Sequence, residues 1–526
     1  MASKISKPSF FKISRQSFFE FLSACGISFL LMLLLTRSSF LYPYNNWDDS
    51  NSYFSMGKSM FHGILIYRDI FDQKGPYLYF LYGLCSLVSG TTFRGVFLME
   101  ILLGAADLLL IGRILKLFCR PQTAAFLSPI LLACMCASKS FYWGGCAEEI
   151  CLPFLLFPLY VLLCTLQHNR RTSFSPRNVF LSGLCCGFVF CVKFTLMGFF
   201  LGFALSVILT CRSFREFARL AGWFLLGTLL PFVPWVIYFG ITGGLDDWYR
   251  VYIYTNVFLY SDFGANSHGA SASQKIYDLA KLLYWLILDN LQYFIFVIAG
   301  LLWMPLRKGA SFAGRIAPAL RFALTFLFIY IGGAHLPYYA FPLTAFAVTG
   351  MAGAGVLLDR ITAKAARKRT VSAGNIVRIT AGILLSLVIS YAVIFRCSWN
   401  MDYLGTPKDQ IFLTSFTEDI NKDRAAGIVD KDHTTLLNIG CLDSGLYTTA
   451  GIYPTCYWFQ TQTLPGGEVD REQLSYILEG RTDYIVARDS YPEAIFEHYE
   501  QIDEFHQTLQ PQDFTYYLFR KKTEIH

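Results

Sequence analysis

The chain has 526 residues, 54% of them hydrophobic and only 15% charged. A soluble domain carries roughly 25% charged residues, so this composition excludes an ordinary soluble enzyme. The excess of basic residues gives a net charge of +7, and its distribution along the chain, described below, excludes a nucleic-acid footprint.

Apolar runs long enough to cross a bilayer recur along the chain. They fall at roughly 17–36, 93–112, 121–139, 150–167, 178–193, 195–211, 220–241, 279–305, 317–334, 337–358 and 376–396, about eleven in all. The expected fold is a polytopic α-helical membrane protein. The first run follows the basic stretch "MASKISKPSFFKISRQ" and ends without a small-residue cleavage pattern, which predicts a retained span.

Lys and Arg concentrate in cytoplasmic loops, which sets the orientation. With the N-terminus inside, the alternate loops hold Arg113, Lys116 and Arg120, then Arg170, Arg171 and Arg177, then Arg212, Arg215 and Arg219. The later ones hold Arg307, Lys308 and Arg315, then Arg360, Lys364, Arg367, Lys368 and Arg369. These face anionic lipid headgroups. The opposite loops hold Asp48, Asp49, Asp69, Asp72, Glu148, Glu149, Asp246, Asp247 and Asp262. The reading is a multi-pass cell-membrane protein with these acids, and the tail after residue 396, outside the cytoplasm.

The first outer loop, 37–92, contains "WDDSNSYFSMGKSMFHG" and "YRDIFDQKGP". Asp49 or Ser50 has N-cap character, and Tyr53, Met56 and Met60 make an apolar stripe. This predicts a short amphipathic helix on the membrane surface, with Pro76 opening the next helix. Capping and solvation account for Asp48, Asp69 and Asp72 in one reading. In the other, carboxylates at headgroup depth act on a lipid-phosphate sugar. Asp49 would take the acceptor hydroxyl's proton while Arg68 and Lys74 steady the departing phosphate.

"YWGGCAEEICLPF" sets Glu148 and Glu149 at the outer mouth of the fourth span, either as acids favoured by the helix dipole or as a second acidic site for acceptor or a divalent cation. Lys193, at the end of the fifth span, either snorkels or meets phosphate. In "GGAHLPYYAFPL", His335 and Tyr338 are substrate-contact candidates, although an aromatic belt explains Tyr338 and Tyr339 adequately. Glu100 and Asp107 lie within a span, where helix-to-helix pairing is expected. The aromatic loop 242–278 reads as a binding or gating element in which Asp246, Asp247 and Arg250 are solvated.

The tail, 397–526, is expected to form a small α/β domain. "TLLNIG", "DYIVARD" and "FTYYLFRKK" read as strands, and "PEAIFEHYEQIDEFHQTL" has helical spacing. Fifteen cysteines lack zinc-type spacing. Cys441 and Cys456 are both on the outer side, and their pairing is left open. Nucleotide-binding and common hydrolase motifs are missing.

The residues 47–90 resemble the GT-C type polyprenyl-phosphate-sugar glycosyltransferases, nearest to bacterial relatives of the protein mannosyltransferases and the lipid A aminoarabinose transferase. Asp49 and Tyr53 match the family's first-loop aspartate and the tyrosine four residues on. Ser50 stands where a second acid is common, and "DQKGPYLYF" occupies the place of a His-Pro-Pro stretch. The resemblance implies a GT-C-like domain over 1–396, an extracytoplasmic domain over 397–526 and Asp49 as general base. It also implies a second acidic site at Glu148 and Glu149, a polyprenyl-phosphate-linked sugar as donor and an envelope glycan, lipid or protein as acceptor. A lipid or solute transporter or flippase, or a non-catalytic envelope scaffold, are the competing readings. The transporter reading would favour ionisable groups near the bilayer midplane and internal repeats.

Overall fold

A computed structural model describes residues 15–166, 174–259, 271–307, 310–333, 335–366, 375–464, 466–509 and 512–522. The first half is helical: α1 (Arg15–Leu35), α2 (Asp48–Phe61), α3 (Pro76–Ser86), α4 (Arg94–Leu115), α5 (Pro121–Cys136), α6 (Ala147–Leu166), α7 (Pro176–Phe190), α8 (Met197–Ile208), α9 (Phe214–Leu229), α10 (Val233–Thr242) and α11 (Leu245–Trp248). A wide helical stretch, Tyr249–Leu259, follows α11. Then come α12 (Ala272–Asp289), α13 (Leu291–Trp303), α14 (Phe312–Tyr330), a tight helical segment at Pro337–Phe346, α15 (Ala347–Ala366) and α16 (Asn375–Cys397). Proline opens α3, α5 and α7, where its missing N–H costs nothing. Ser213, Ser271 and Ser311 cap α9, α12 and α14 through their side chains.

Among the described residues, seven helical spans are long and apolar enough to cross a membrane, and the pair α12–α13 raises this to eight if counted as one. The expected intervals at 121–139, 178–193 and 195–211 fall on shorter apolar helices. The interval 279–305, expected as one span, is two helices bent by 118°. Asn290 sits at the break: its side-chain Nδ2 donates to Leu286 O and its side-chain Oδ1 accepts from Ser140 N, which ties the bend to the loop before α6. The most enclosed spans are α6 and Pro337–Lys364, each 72% buried, against 28% for α1. Those two spans form the centre of the bundle.

The tail folds as a four-stranded sheet with three helices. Its elements are α17 (Phe412–Ala426), β1 (Leu436–Ile439), α18 (Leu446–Thr449), α19 (Glu468–Leu478), β2 (Tyr484–Arg488), β3 (Tyr499–Leu509) and β4 (Gln512–Lys521). The order is β1-β2-β4-β3, with β1 parallel to β2 and the other pairs antiparallel. The three expected strands form. The expected helix is instead β3, preceded by a tight turn at Glu493–Glu497. A bulge between Gln501 and Asp503 shifts the strand's phase, so Tyr499, Ile502 and Phe505 recur every three residues and imitate a helix. Cys441 and Cys456 are both free.

The helix α2 does form, but not on a membrane surface. Residues Ser50–Ser59 are all buried. Its apolar side packs on α3, and its polar side is covered by the tail. Ser52 donates to Gln460 Oε1 at 2.5 Å and Ser55 to Asp443 Oδ2 at 2.5 Å. Lys58 Nζ donates to the carbonyls of Tyr447 and Ile452, both at 2.9 Å. The serines that suggested a wet face are satisfied by protein.

Candidate active site

The loop between α2 and α3 sorts its charges by backbone shape. Tyr67 has a left-handed φ of 73°, and its buried ring turns inward so that its hydroxyl donates to Lys74 O at 2.6 Å. Arg68 and Asp69 consequently turn outward. Arg68 bonds Asp69 at 3.0 Å and the Thr242 carbonyl at 3.2 Å, and Asp69 accepts from Leu65 N. Both are largely exposed, and Arg68 is not among the residues that line the cavity holding Lys74 and Lys193. Asp72 points inward: Gln73 N donates to its Oδ1, and its Oδ2 has no partner among the described residues. Burial pushes its pKa up, with Lys74 opposing.

Close backbone docking then brings two lysines together. Gly75 N donates to Val192 O and Tyr77 N to Cys191 O, both at 3.2 Å. A β-carbon at Gly75 would run into the Cys191 carbonyl, so only glycine fits. Lys74 and Lys193 thereby line one cavity of about 420 Å³. Its other walls include Gln73, Tyr252, Asn256 and Tyr339 with Phe194, Met197, Val257, Phe328, Ile329 and Ile331. Two cations on an otherwise mostly apolar wall suit an amphiphile with an anionic head. Asn256 bridges the carbonyls of Gln73 and Tyr252, which ties the 245–259 stretch to this wall. Residues 260–270 of the expected gating loop lie outside the described residues.

Asp49 occupies the first turn of α2, half-buried, and accepts a hydrogen bond from Tyr338 Oη at 2.5 Å. Tyr338 leads to the cavity, since Lys193 Nζ lies 3.6 Å over the neighbouring Tyr339 ring and 5.5 Å from the Tyr338 ring. Trp47 packs against Tyr338 at 5.1 Å and fixes the start of α2. Tyr53, one turn along, is fully buried with its hydroxyl unbonded among the described residues. Burial, then the nearby charges of Asp49, Asp72 and Glu148, pushes its pKa well up. Asp48 leans the other way and accepts from Arg488 of β2 at 2.9 Å. Burial raises its pKa to about 6 despite that partner.

The "EE" pair divides. Glu148 forms a buried ion pair with Lys193. Glu149, the next residue on the helix, faces away and accepts from Gly145 N at 2.8 Å, which holds the "GG" turn. A joint site of two adjacent acids is therefore not what the helix presents. His335 is exposed, with its Nδ1 3.3 Å from the Gly333 carbonyl. Glu100 accepts from Thr36 at 2.7 Å, tying α4 to the end of α1, whereas Asp107 makes no hydrogen bond among the described residues and its Oδ1 is buried. The helix-to-helix pairing expected for Asp107 is not found there. Arg250 pairs with Asp247 at the surface, as expected of solvated charges. No group of three or more His, Cys, Asp or Glu among the described residues is arranged to hold a metal ion. Gln73, Tyr252, Asn256, Tyr339 and Arg488 join the site without having been singled out. Only Tyr339, beside Tyr338, carried any local signal.

This bundle, with its loop helices and tail domain, is a GT-C type fold. The profile of the family described as dolichyl-phosphate-mannose-protein mannosyltransferase matches residues 73–238. ArnT from Cupriavidus metallidurans, solved bound to undecaprenyl phosphate, aligns with a TM-score of 0.57 at 12% identity, over 96% of this chain and 98% of that one. The archaeal oligosaccharyltransferase AglB from Archaeoglobus fulgidus, in complex with an inhibitory peptide and a dolichol-phosphate, aligns with a TM-score of 0.51 at 13% identity, over 90% of this chain and 70% of that one. The arabinofuranosyltransferase AftD from Mycobacteria gives 0.50 at 14% identity, over 98% of this chain but 42% of its own length. No curated protein matches the chain by sequence. The resemblance to GT-C type polyprenyl-phosphate-sugar glycosyltransferases thus rests on the fold throughout and on sequence over residues 73–238.

Proposed function

We propose that this chain is a membrane glycosyltransferase. It moves a sugar from a polyprenyl-phosphate donor to an envelope acceptor, with inversion, on the extracytoplasmic face of the cell membrane. The observation that carries the reading is the link from Asp49 through Tyr338 to an apolar cavity bearing Lys74 and Lys193. Four buried polar atoms in these surroundings, Tyr53 Oη, Asp72 Oδ2, Gln73 Oε1 and Glu148 Oε2, have no hydrogen-bond partner among the described residues. Buried polar groups are rarely left unmet, so these await substrate or water.

In this reading the prenyl chain lies along the apolar wall with its phosphate at the lysines. The acceptor hydroxyl gives its proton to Asp49 as its oxygen bonds the anomeric carbon. The bond from that carbon to the phosphate oxygen breaks, and its electron pair leaves on the phosphate, where Lys74 and Lys193 meet the developing charge. Tyr338 orients the base, and Glu148 holds Lys193 until phosphate arrives. No step requires a nucleotide.

The test is mass spectrometry of envelope glycans and lipid-linked sugars. Cells lacking the chain are compared with cells restored by wild type or by Asp49→Asn. A sugar substituent that disappears and returns only with wild type supports transfer and names sugar and acceptor together. Equal restoration by Asp49→Asn removes the aspartate as base and returns the transporter and scaffold readings to the front.

A further inference from the structure

Beside Tyr338, the loop between α5 and α6 meets the turn that follows α16. Tyr142, in that loop, is half-buried, and its hydroxyl bonds to no described residue. Its ring stacks on Trp143 at 4.6 Å and lies 5.2 Å from Trp47 and 5.9 Å from Tyr338, and Trp399, half-buried as well, is 6.2 Å away and tilted by 59°. The Tyr142 backbone is left-handed, with φ of 60°. For an aromatic residue that conformation is costly and persists only where the surroundings impose it.

Those surroundings can be named. Gly144 and Gly145 are also left-handed, at φ of 85° and 77°, so three of four successive residues share this shape. Asn400 donates to the Tyr142 carbonyl at 3.3 Å and to the Leu35 carbonyl at 2.5 Å. Arg37 in turn donates to Asn400 Oδ1 at 3.0 Å and to Asn46 Oδ1 at 2.7 Å. Its guanidinium lies 3.9 Å over Trp143 and 4.3 Å over Tyr403. Trp399 is the neighbour of Asn400, so one buried network holds the backbone that carries both half-buried rings. An interfacial aromatic belt needs neither a strained backbone nor such a clamp.

Charged groups rim the two rings. Lys139 Nζ lies over one face of the Trp399 ring, 5.2 Å from its centroid, and pairs with Asp289 at 2.6 Å, which leaves the other face for a ligand. Asp48 and Arg488 pair on the tail side, where Arg488 also lies 4.5 Å over Phe514. The negative face of an aromatic ring attracts the slightly positive C–H face of a pyranose, while charged groups bond its hydroxyls. The geometry points to Tyr142 and Trp399 as a stacking platform for the acceptor, whose ligand class is a saccharide ring presented to Asp49. This rests on the transferase reading and narrows its acceptor to a glycan or glycolipid sugar.

The experiment is saturation-transfer NMR on the full chain in sugar-free nanodiscs. The probes are methyl α-D-mannopyranoside, methyl α-D-glucopyranoside, methyl β-D-galactopyranoside and a Ser/Thr-rich peptide. The expected result is transfer to the ring C–H protons of at least one glycoside. That signal falls at least fivefold in Trp399→Ala and in Tyr142→Ala and is largely kept in Trp399→Phe. Undecaprenyl phosphate binding, measured on the same samples, stays unchanged and shows that the variants are folded. No transfer to any glycoside, transfer indifferent to both alanine variants, or peptide binding at these rings overturns the platform. A platform that fails beside Asp49-dependent transfer in cells removes this inference alone. An intact platform beside a fully active Asp49→Asn removes the transferase mechanism instead.

Discussion

The buried pair of Glu148 and Lys193 makes the sharpest test of how the cavity is charged. Their side chains are 1% and 9% exposed, so neither charge has much access to solvent when its partner is removed. Breaking a buried pair from one side typically costs about 3–5 kcal/mol, because the remaining charge is left unmet. Lys193→Met should therefore destabilise the chain by about that amount, which is a fall in Tm of roughly 6–10 °C at about 2 °C per kcal/mol for a large domain. Glu148→Gln should behave differently. Lys193 keeps its place over the Tyr339 ring, and a lysine released from its carboxylate meets phosphate more strongly. Undecaprenyl phosphate should then bind at least fivefold tighter to Glu148→Gln and at least fivefold weaker to Lys193→Met. The double variant, with no charge left in the pair, should recover most of the lost stability. The assays are thermal unfolding in nanodiscs and titration with undecaprenyl phosphate. Lys193→Met as stable as wild type, or a double variant no better than it, would refute the pair as a buried couple. Equal lipid affinity in Glu148→Gln and wild type would refute Glu148 as the group that holds Lys193 in reserve.

Tyr338→Phe removes a hydrogen bond to the Asp49 carboxylate, worth about 1.5–3 kcal/mol for a charged acceptor. That bond orients the carboxylate, so the rate of transfer should fall at least tenfold while undecaprenyl phosphate affinity is kept, and an unchanged rate counts against Tyr338 as the group that orients Asp49. Gly75→Ala places a β-carbon against the Cys191 carbonyl, so undecaprenyl phosphate affinity should drop at least tenfold; retained affinity rejects the docking of the 73–75 loop as what brings the lysines together. The tail's grip on α2 should depend on acidity. Burial raises both Asp443 and Asp48 to about 6, against about 3.9 unfolded. Between those values the folded chain holds more protons than the unfolded one, so stability falls as pH rises from about 4 to 6 and levels above that. Asp443, fully buried, carries the larger share, about 3 kcal/mol. Thermal unfolding across pH 4–7 of wild type and Asp443→Asn reads it, and matching profiles in the two proteins refute it.

Local signals were legible and distant ones were not. The run from Trp47 to Pro76 announced a helix, a turn and a second helix, because N-caps, glycine and proline act within a few residues. Lys74 and Asp49 could be singled out from that run. What completes them lies far along the chain: Tyr338 is 289 residues from Asp49, and Arg488 is 440 from Asp48. No spacing rule spans such gaps, so Glu148 and Lys193 entered as separate candidates with no sign that they pair. The outward turn of Arg68 and Asp69 could not be read locally either, since it follows from the left-handed backbone at Tyr67 and an aromatic residue does not advertise that turn. In β3 one bulge was enough to convert a period of two into a false period of three.

The helix α2 shows why periodicity alone could not settle its surroundings. An apolar stripe beside a serine-rich face predicts lipid on one side and water on the other, and the same pattern serves equally where a second domain covers the polar face. Lys58 held the clue. A lysine inside a run of serines has no reason to be buried unless something accepts its protons, and here two tail carbonyls do. Burial still lowers its pKa to about 8, with Asp443 opposing, so it remains mostly charged at neutral pH. Without the tail, Lys58, Ser52 and Ser55 would lose the partners that hold α2 in place, and Asp49 sits on the first turn of that helix. The tail is therefore part of what aims the aspartate.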